Sequence, residues 1–490
     1  MQWDTCPAGS ATDDGALCAQ FPVPRDYADP SAGTIDITMS KLPATGSRAE
    51  YRGVIAGNPG GPGGSALGMF AGDADLAAGT DDGKVLFPEQ VRRQYDLVAV
   101  QPRGHAWAGD LDCTVEGVPG LLTAQFGAGA VHQACELADP GLVGTITTEN
   151  TARDLDVARQ VLGQEQLNLY GLSYGGALMS TYATAFPERT AKMILDSSVA
   201  PSDRWFNLGA SRLDDRRAAL DAYFSWIADR DDEYHLGTTP LQVYQRWSDR
   251  VNEEVGVAAE VAPPAARVGD LPAGLAEHSD ALLPHLNQVL EPAWRATSAW
   301  QALSTGKSGL TAASPTFTAT IYGALYDESS WPQTAGWLRD GIPAEDPAAI
   351  PTDDAELEGL SRQILAMPMV ELAIVCNENR NEVRHDLVAP QLADAFTGGD
   401  VIGLIENNLA SGQVCAGWPL PTPARDLSGA ELAEEPLLLG YSGDNAVTGE
   451  AIDEVQHTMG GEQIVLEGWS HGVLVGDTAT VTDEVTAYLS

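Results

Sequence analysis

Residues 168 to 177, Asn-Leu-Tyr-Gly-Leu-Ser-Tyr-Gly-Gly-Ala, read as a strand that ends in a sharp turn and lifts Ser173 to the tip of a helix. A turn that tight forces unfavourable backbone angles on the serine and crowds its neighbours. Glycine at 171 and 175 lets the backbone pass without clashing side chains. The pattern Gly-x-Ser-x-Gly occurs twice, because Gly468-Trp469-Ser470-His471-Gly472 also fits. Context separates the two copies. Residues 166–170 form a strand-like run before Ser173, and residues 177–186 are small and helix-compatible. Ser470 lies close to the C-terminus with no comparable helix behind it. Ser173 is therefore the candidate nucleophile.

The first half of the chain alternates strand-like and helix-like segments. Residues 34–40 alternate apolar and polar side chains, as an edge strand does. Residues 52–56 lead into a Gly-Pro loop, residues 95–100 are a continuous apolar run, residues 151–162 have helical periodicity, and residues 192–195 read as a buried strand. Such alternation argues for an α/β fold with a mostly parallel sheet covered on both faces. From Pro201 the texture changes. Residues 205–256 place Trp, Arg, Asp and Leu at helical spacing, residues 260–275 are an Ala/Pro/Gly-rich loop, and helical patterns return over 285–304 and 316–340. Strand signatures reappear at 436–440 and 463–467. The expected organisation is a core of residues 1–200 and 431–490, interrupted by a largely helical cap over 201–430. The cap should sit over the carboxyl ends of the strands, where open sheets bind ligands.

A serine hydroxyl is a weak nucleophile until a base takes its proton. On a sheet of this kind the partners follow in the order Ser, Asp or Glu, His. Of the histidines after Ser173, His235, His278, His285 and His385 fall in the cap and His457 in a helical stretch. His471 lies in a loop after the last strand, where the base is required. Asp444 stands just beyond the strand Leu437-Leu438-Leu439-Gly440, where an acid would orient the imidazole; its rival Asp453 falls in the next helical segment. The loop Asn58-Pro59-Gly60-Gly61-Pro62-Gly63-Gly64-Ser65 exposes backbone N–H groups, and the Gly61 N–H should pair with that of Tyr174 to hold an oxyanion. This loop lacks the Gly-Lys-Ser/Thr ending and the Gly-x-Gly-x-x-Gly spacing of nucleotide sites.

The chain of 490 residues carries 27 basic and 69 acidic side chains, a net charge of −42. That surface repels nucleic acid and anionic membranes, and no sequence run reads as a membrane span. Six cysteines allow fifteen connectivities. The expected set is Cys6–Cys18, Cys113–Cys135 and Cys376–Cys415, because each closes a short loop; six free thiols in a cytosolic enzyme is the alternative. No Cys-x-x-Cys occurs, so no zinc site is expected. Paired cysteines imply an oxidising compartment, hence a secreted or cell-surface protein whose signal peptide is not in this sequence.

The chain resembles the secreted actinobacterial α/β-hydrolases that include tripeptidyl and prolyl aminopeptidases and carboxylesterase-like proteases. The resemblance begins at Trp3-Asp4-Thr5-Cys6-Pro7, Cys18 and Val23-Pro24-Arg25-Asp26-Tyr27. It runs through residues 58–65 and 95–104, through Asn150-Thr151-Ala152-Arg153-Asp154-Leu155-Asp156 and the turn at Ser173. It continues at Ala373-Ile374-Val375-Cys376-Asn377-Glu378 and Cys415-Ala416-Gly417-Trp418-Pro419, and ends around Asp444 and His471. It implies an α/β-hydrolase fold and a serine exopeptidase that acts on peptide N-termini through an acyl-enzyme, with no metal or cofactor. It carries Ser173, Asp444 and His471 over as the triad, supports the disulfide pairing, and suggests Glu378 as the acid that receives the substrate's free amine. Departures are present. Gln101 stands where the family has aspartate, His105 where it has a small or aliphatic residue, Asp444-Asn-Ala-Val-Thr448 lacks the usual Thr-Pro, and Gly-Trp-Ser-His471-Gly replaces Gly-x-Gly-His-Gly. They leave room for a second expectation, an esterase, amidase or lactone hydrolase acting on a small natural product with the same triad. A third is a catalytically dead binding protein on this scaffold, which the intact triad argues against. The oligomeric state is not legible.

Overall fold

The computed structural model describes residues 1–490 apart from 11, 13–14, 72–86, 114–126, 308, 344–352, 398 and 420. Eight strands form one sheet: β1 (Leu17–Pro24), β2 (Thr34–Leu42), β3 (Gly53–Asn58), β4 (Tyr95–Val100), β5 (Leu167–Leu172), β6 (Thr190–Asp196), β7 (Leu437–Tyr441) and β8 (Glu462–Leu466). Their spatial order is β1-β2-β4-β3-β5-β6-β7-β8. β2 runs antiparallel to both its neighbours, and all pairs from β4 to β8 are parallel. Every residue of β3 and β7 is buried, the continuous apolar reading of strands covered on both faces.

The sheet edge differs from expectation. Residues 34–40 do not form the edge, because β1 lies outside them. Alternation holds only at the start of β2; Met39 to Leu42 pair with β4 and are buried or half-buried. β1 escapes a sequence reading because Pro22 and Pro24 interrupt it. Proline is tolerated there because an edge strand leaves one row of backbone groups unpaired.

One face of the sheet packs against the helices Thr148–Val161 and Tyr174–Ala185, through Leu155, Leu169, Tyr174, Leu178 and Tyr182. The other face packs through Phe70, Tyr95, Tyr170, Val473 and Leu489. Between β6 and β7 lies the helical insertion, which carries its own core around Tyr223, Phe224, Trp247, Phe317 and Trp331. Its helices start and stop by local chemistry. In Pro240–Val255, Thr239 accepts from the Gln242 N–H at the start, proline holds the first turn, and Gly256 ends the helix at φ 76°.

The long helix Asp354–Glu378 was not legible as an element. It falls within the expected cap, yet its C-terminal half (Val370 and Leu372 to Cys376) joins the core under the sheet. By length and composition it could cross a bilayer, which qualifies the absence of a span expected from sequence, but half of its apolar window is buried inside the protein. The three disulfides pair as expected, Cys6–Cys18, Cys113–Cys135 and Cys376–Cys415, the last tying this helix to the turn Gln413–Cys415.

Candidate active site

The site is assembled from the carboxyl ends of β3, β5, β6 and β7 and the loop after β8. Ser173 directly follows β5, with φ 59° and ψ −125°, and Tyr174 opens the next helix. This is the strained turn anticipated from the glycines. A Cβ on Gly171 would lie 2.3 Å from the Gly175 carbonyl oxygen, and one on Gly175 would lie 2.1 Å from that of Asn58. Both are backbone atoms that cannot give way. Ser173 is partly exposed. Ser470, in the second copy of the pattern, is buried, and its Oγ accepts from the Glu328 N–H at 3.0 Å.

His471 and Asp444 meet. Nδ1 lies 2.8 Å from Asp444 Oδ2 and 3.1 Å from Oδ1, and Oδ1 also accepts from the Ala446 N–H at 2.9 Å. Both side chains are buried. Burial pulls the His471 pKa down, but the charge and hydrogen bond of Asp444 outweigh it, with help from Asp196 and against Arg216, so the pKa is raised. The cap grips the same loop: the His471 N–H donates to the Tyr326 carbonyl at 2.9 Å, the Tyr326 ring stands edge-on to the imidazole, and Glu328 accepts from the Trp469 N–H. Gly472 links this loop to the elbow. Its N–H donates to Ser197 Oγ at 2.9 Å, and a Cβ on it would lie 2.8 Å from a Leu172 methyl. Ser173 Oγ and the His471 ring are not hydrogen-bonded to each other among the described residues.

Asp196, at the end of β6, was missed in the sequence. It is fully buried and accepts from the Val473 and Leu474 N–H groups at 2.8 and 2.9 Å and from Tyr170 Oη at 2.8 Å. It thereby ties down the turn just after His471. An aspartate closing a buried strand, followed by Ser197-Ser198, was the available signal.

The glycine loop abuts the elbow. A Cβ on Gly60 would sit 2.8 Å from Ser173 Cβ and 3.1 Å from the Tyr174 N. The N–H groups of Gly61 and Tyr174 donate to no acceptor among the described residues, as oxyanion donors awaiting a substrate must.

A family model described as the alpha/beta hydrolase fold matches residues 58–302. The chain belongs to the α/β-hydrolase fold family. A second model, described as TAP-like protein, matches residues 403–490. Tripeptidyl aminopeptidase of Streptomyces lividans is 31% identical over 268 residues, covering 50% of this chain and 48% of that protein. Serine protease Hip1 of Mycobacterium tuberculosis is 25% identical over 520 residues, covering 100% and 88%. Carboxylesterase B of Mycobacterium tuberculosis is 25% identical over 329 residues, covering 63% and 58%. The match to the tripeptidyl aminopeptidase thus spans about half of that relative's length.

In this α/β-hydrolase both carboxylate oxygens of Glu378, suggested as the amine receptor, are already engaged. It is 3% exposed, and both its oxygens accept from Thr148, one from the N–H at 2.7 Å and one from Oγ1 at 2.5 Å. Thr148 Oγ1 lies 2.9 Å from Tyr174 Oη, so Glu378 braces the elbow helix. Burial raises its pKa against the pull of these bonds.

Two turns earlier on the same helix, Glu371 lines a cavity of about 190 Å³ that begins at Gly61 and Pro62. Trp205, Leu208, Leu372 and Ile405 give it apolar walls, and Arg212 a second charge. Arg212 is already committed to Glu406, Nε to Oε2 at 2.6 Å, and Arg216 lies 3.2 Å from the other Glu406 oxygen. No hydrogen bond or ion pair reaches the Glu371 carboxylate among the described residues. Glu371 is exposed, its side chain opening onto a cavity that is itself partly open to solvent. Desolvation by the surrounding walls raises its pKa, Arg212 lowers it and Glu406 raises it.

Proposed function

We propose that this chain is a serine exopeptidase that releases one residue or a short peptide from peptide N-termini. Ser173 attacks the scissile carbonyl, His471 takes its proton and returns it to the leaving amine, and Asp444 holds the imidazole in register. The N–H groups of Gly61 and Tyr174 receive the oxyanion. The observation that carries the reading is Glu371, an uncommitted carboxylate inside an apolar cavity that starts at the oxyanion loop. Its carboxylate is unpaired and accessible, so a substrate ammonium can reach and neutralise it. Internal peptide bonds lack that charge, so the same contact explains exopeptidase specificity. Glu371 thus takes the role that the family resemblance had suggested for Glu378. The chemistry uses no metal or cofactor. Three disulfides support a secreted or cell-surface setting.

The test uses chromogenic amides of one to three residues, each with a free or an acetylated N-terminus. Only the free forms should be cleaved. Glu371→Gln should lower kcat/KM on them by about 100-fold, the loss expected when a charged hydrogen bond is removed, and change little on a neutral ester. Equal cleavage of acetylated and free amides would refute the reading. The apolar walls and the likeness to a carboxylesterase support a second reading, hydrolysis of a small apolar ester; activity on esters alone would establish it.

A further inference from the structure

The two departures near residue 101 are in direct contact. Gln101 and His105 are 0% and 1% exposed and lie beneath the glycine loop. Gln101 Oε1 accepts from the Ala66 N–H at 2.7 Å, while its Nε2 lies 2.8 Å from His105 Nδ1, 3.1 Å from Ser65 Oγ and 3.2 Å from the Ala106 carbonyl oxygen. The Ala66 N–H can only donate, so it fixes the amide with oxygen toward the loop and NH₂ toward the imidazole. His105 Nδ1 must then accept, and the ring proton sits on Nε2. The carbonyls of Gly63 and Ala106 face the ring. Burial holds its pKa down to about 4, while Asp110 and these carbonyls pull upward.

The physical logic is compensation. A carboxylate at position 101 would accept from the loop and bring no N–H donor of its own. Glutamine accepts equally well but adds two buried N–H donors, and a buried donor without a partner is costly. The Nδ1 of His105 supplies the nearest of three acceptors within reach of the amide, and a small or aliphatic residue there could not. The loop is thereby held at both ends. Asn58 Oδ1 accepts from the Gly60 N–H at 3.0 Å on one side, and Gln101 holds Ala66 on the other, with Gly61 between them.

We propose that the Gln101–His105 pair is the positioning device that sets the Gly61 N–H for the oxyanion. The pair touches neither substrate nor reacting atoms; it acts through the loop. The proposal rests on Gly61 being an oxyanion donor and is independent of which acyl group the enzyme prefers.

The experiment measures kcat and KM of His105→Leu and His105→Asn on whichever of a p-nitrophenyl ester or an amino-acid p-nitroanilide the wild type hydrolyses. Leucine keeps bulk and removes the acceptor. Asparagine places Oδ1 where Nδ1 stood. His105→Leu should lower kcat by about 10- to 100-fold with KM changed by less than about two-fold, the signature of a contact made only in the transition state. His105→Asn should recover kcat to within about three-fold of wild type. Equal loss of kcat in both variants overturns the proposal, as does a fall in melting temperature with kcat retained. Should His105→Leu fail to fold, ¹⁵N NMR of the histidine rings decides. Wild-type His105 should be neutral at pH 7 with Nδ1 unprotonated, and Gln101→Glu should convert it to imidazolium. A protonated Nδ1 in the wild type would overturn the proposal.

Discussion

Asp444 does two things to His471 at once: it points the ring and it favours the charged form. The raised pKa has a definite sign in each measurement. As the proposed base, His471 works only when neutral, so kcat/KM should rise with pH through a value above 6.5. For stability, a histidine whose folded pKa exceeds its unfolded one adds stability that is fully present below the unfolded pKa. That contribution is lost as pH rises through the folded value. A pH–rate profile with its acid limb at or below the ordinary histidine range would contradict this account. Asp444→Asn should cut kcat by about 10⁴-fold, and Ser173→Ala by about 10⁶-fold, both with the fold intact by circular dichroism. The two glutamates of one helix make a sharper pair. Glu378→Ala strands the Thr148 N–H and should cost about 1–3 kcal/mol in urea unfolding, whereas Glu371→Gln should leave unfolding nearly unchanged and act on kcat/KM. A reversal of those two phenotypes would return the amine-binding role to Glu378.

At the scale of elements, the strand–turn–helix around Ser173 is held by close backbone approach. Gly175→Ala would press a methyl against the Asn58 carbonyl oxygen. It should cost about 3 kcal/mol in denaturant melts and displace β3 and the loop that carries Gly61. Wild-type stability in that variant would mean the elbow and β3 are less tightly joined than described. This unit was fully legible because its glycines, its strand and its helix all lie within twenty residues. β1 was not legible, because its two prolines mask a strand that exists only through pairing with β2. Helix Asp354–Glu378 was hidden differently. Its two halves face different surroundings: Ile364, Leu365 and Met367 are exposed while Leu372 to Cys376 are buried, so no single apolar face runs its length.

Across the whole molecule, the cap and the core are joined at the site. Tyr326 and Glu328 of the cap hold the His471 loop, and the Cys376–Cys415 bridge fixes the cavity wall that carries Val375 and Val414. Replacing both cysteines by serine reopens a loop with a sequence separation of 39. It should lower unfolding free energy by about 4 kcal/mol on the chain-entropy account and raise KM more than it lowers kcat. Unchanged KM with lowered stability would show that the wall stands without the bridge. The chain itself determined what depends on local order: the elbow at Ser173, the succession of acid and base after the last two strands, the glycine loop, and three cystines that close short loops. Only the tertiary structure decided which of two acids opens onto the cavity. Glu371 and Glu378 are equivalent in type and lie on one helix. What separates them is their surroundings, Thr148 beside one and an open cavity beside the other, and Thr148 as well as the Gly61, Trp205 and Arg212 walls of that cavity come from distant parts of the chain. The same holds for Asp196, whose donors Val473 and Leu474 lie far along the chain, and for the contact of Gln101 with Ala66.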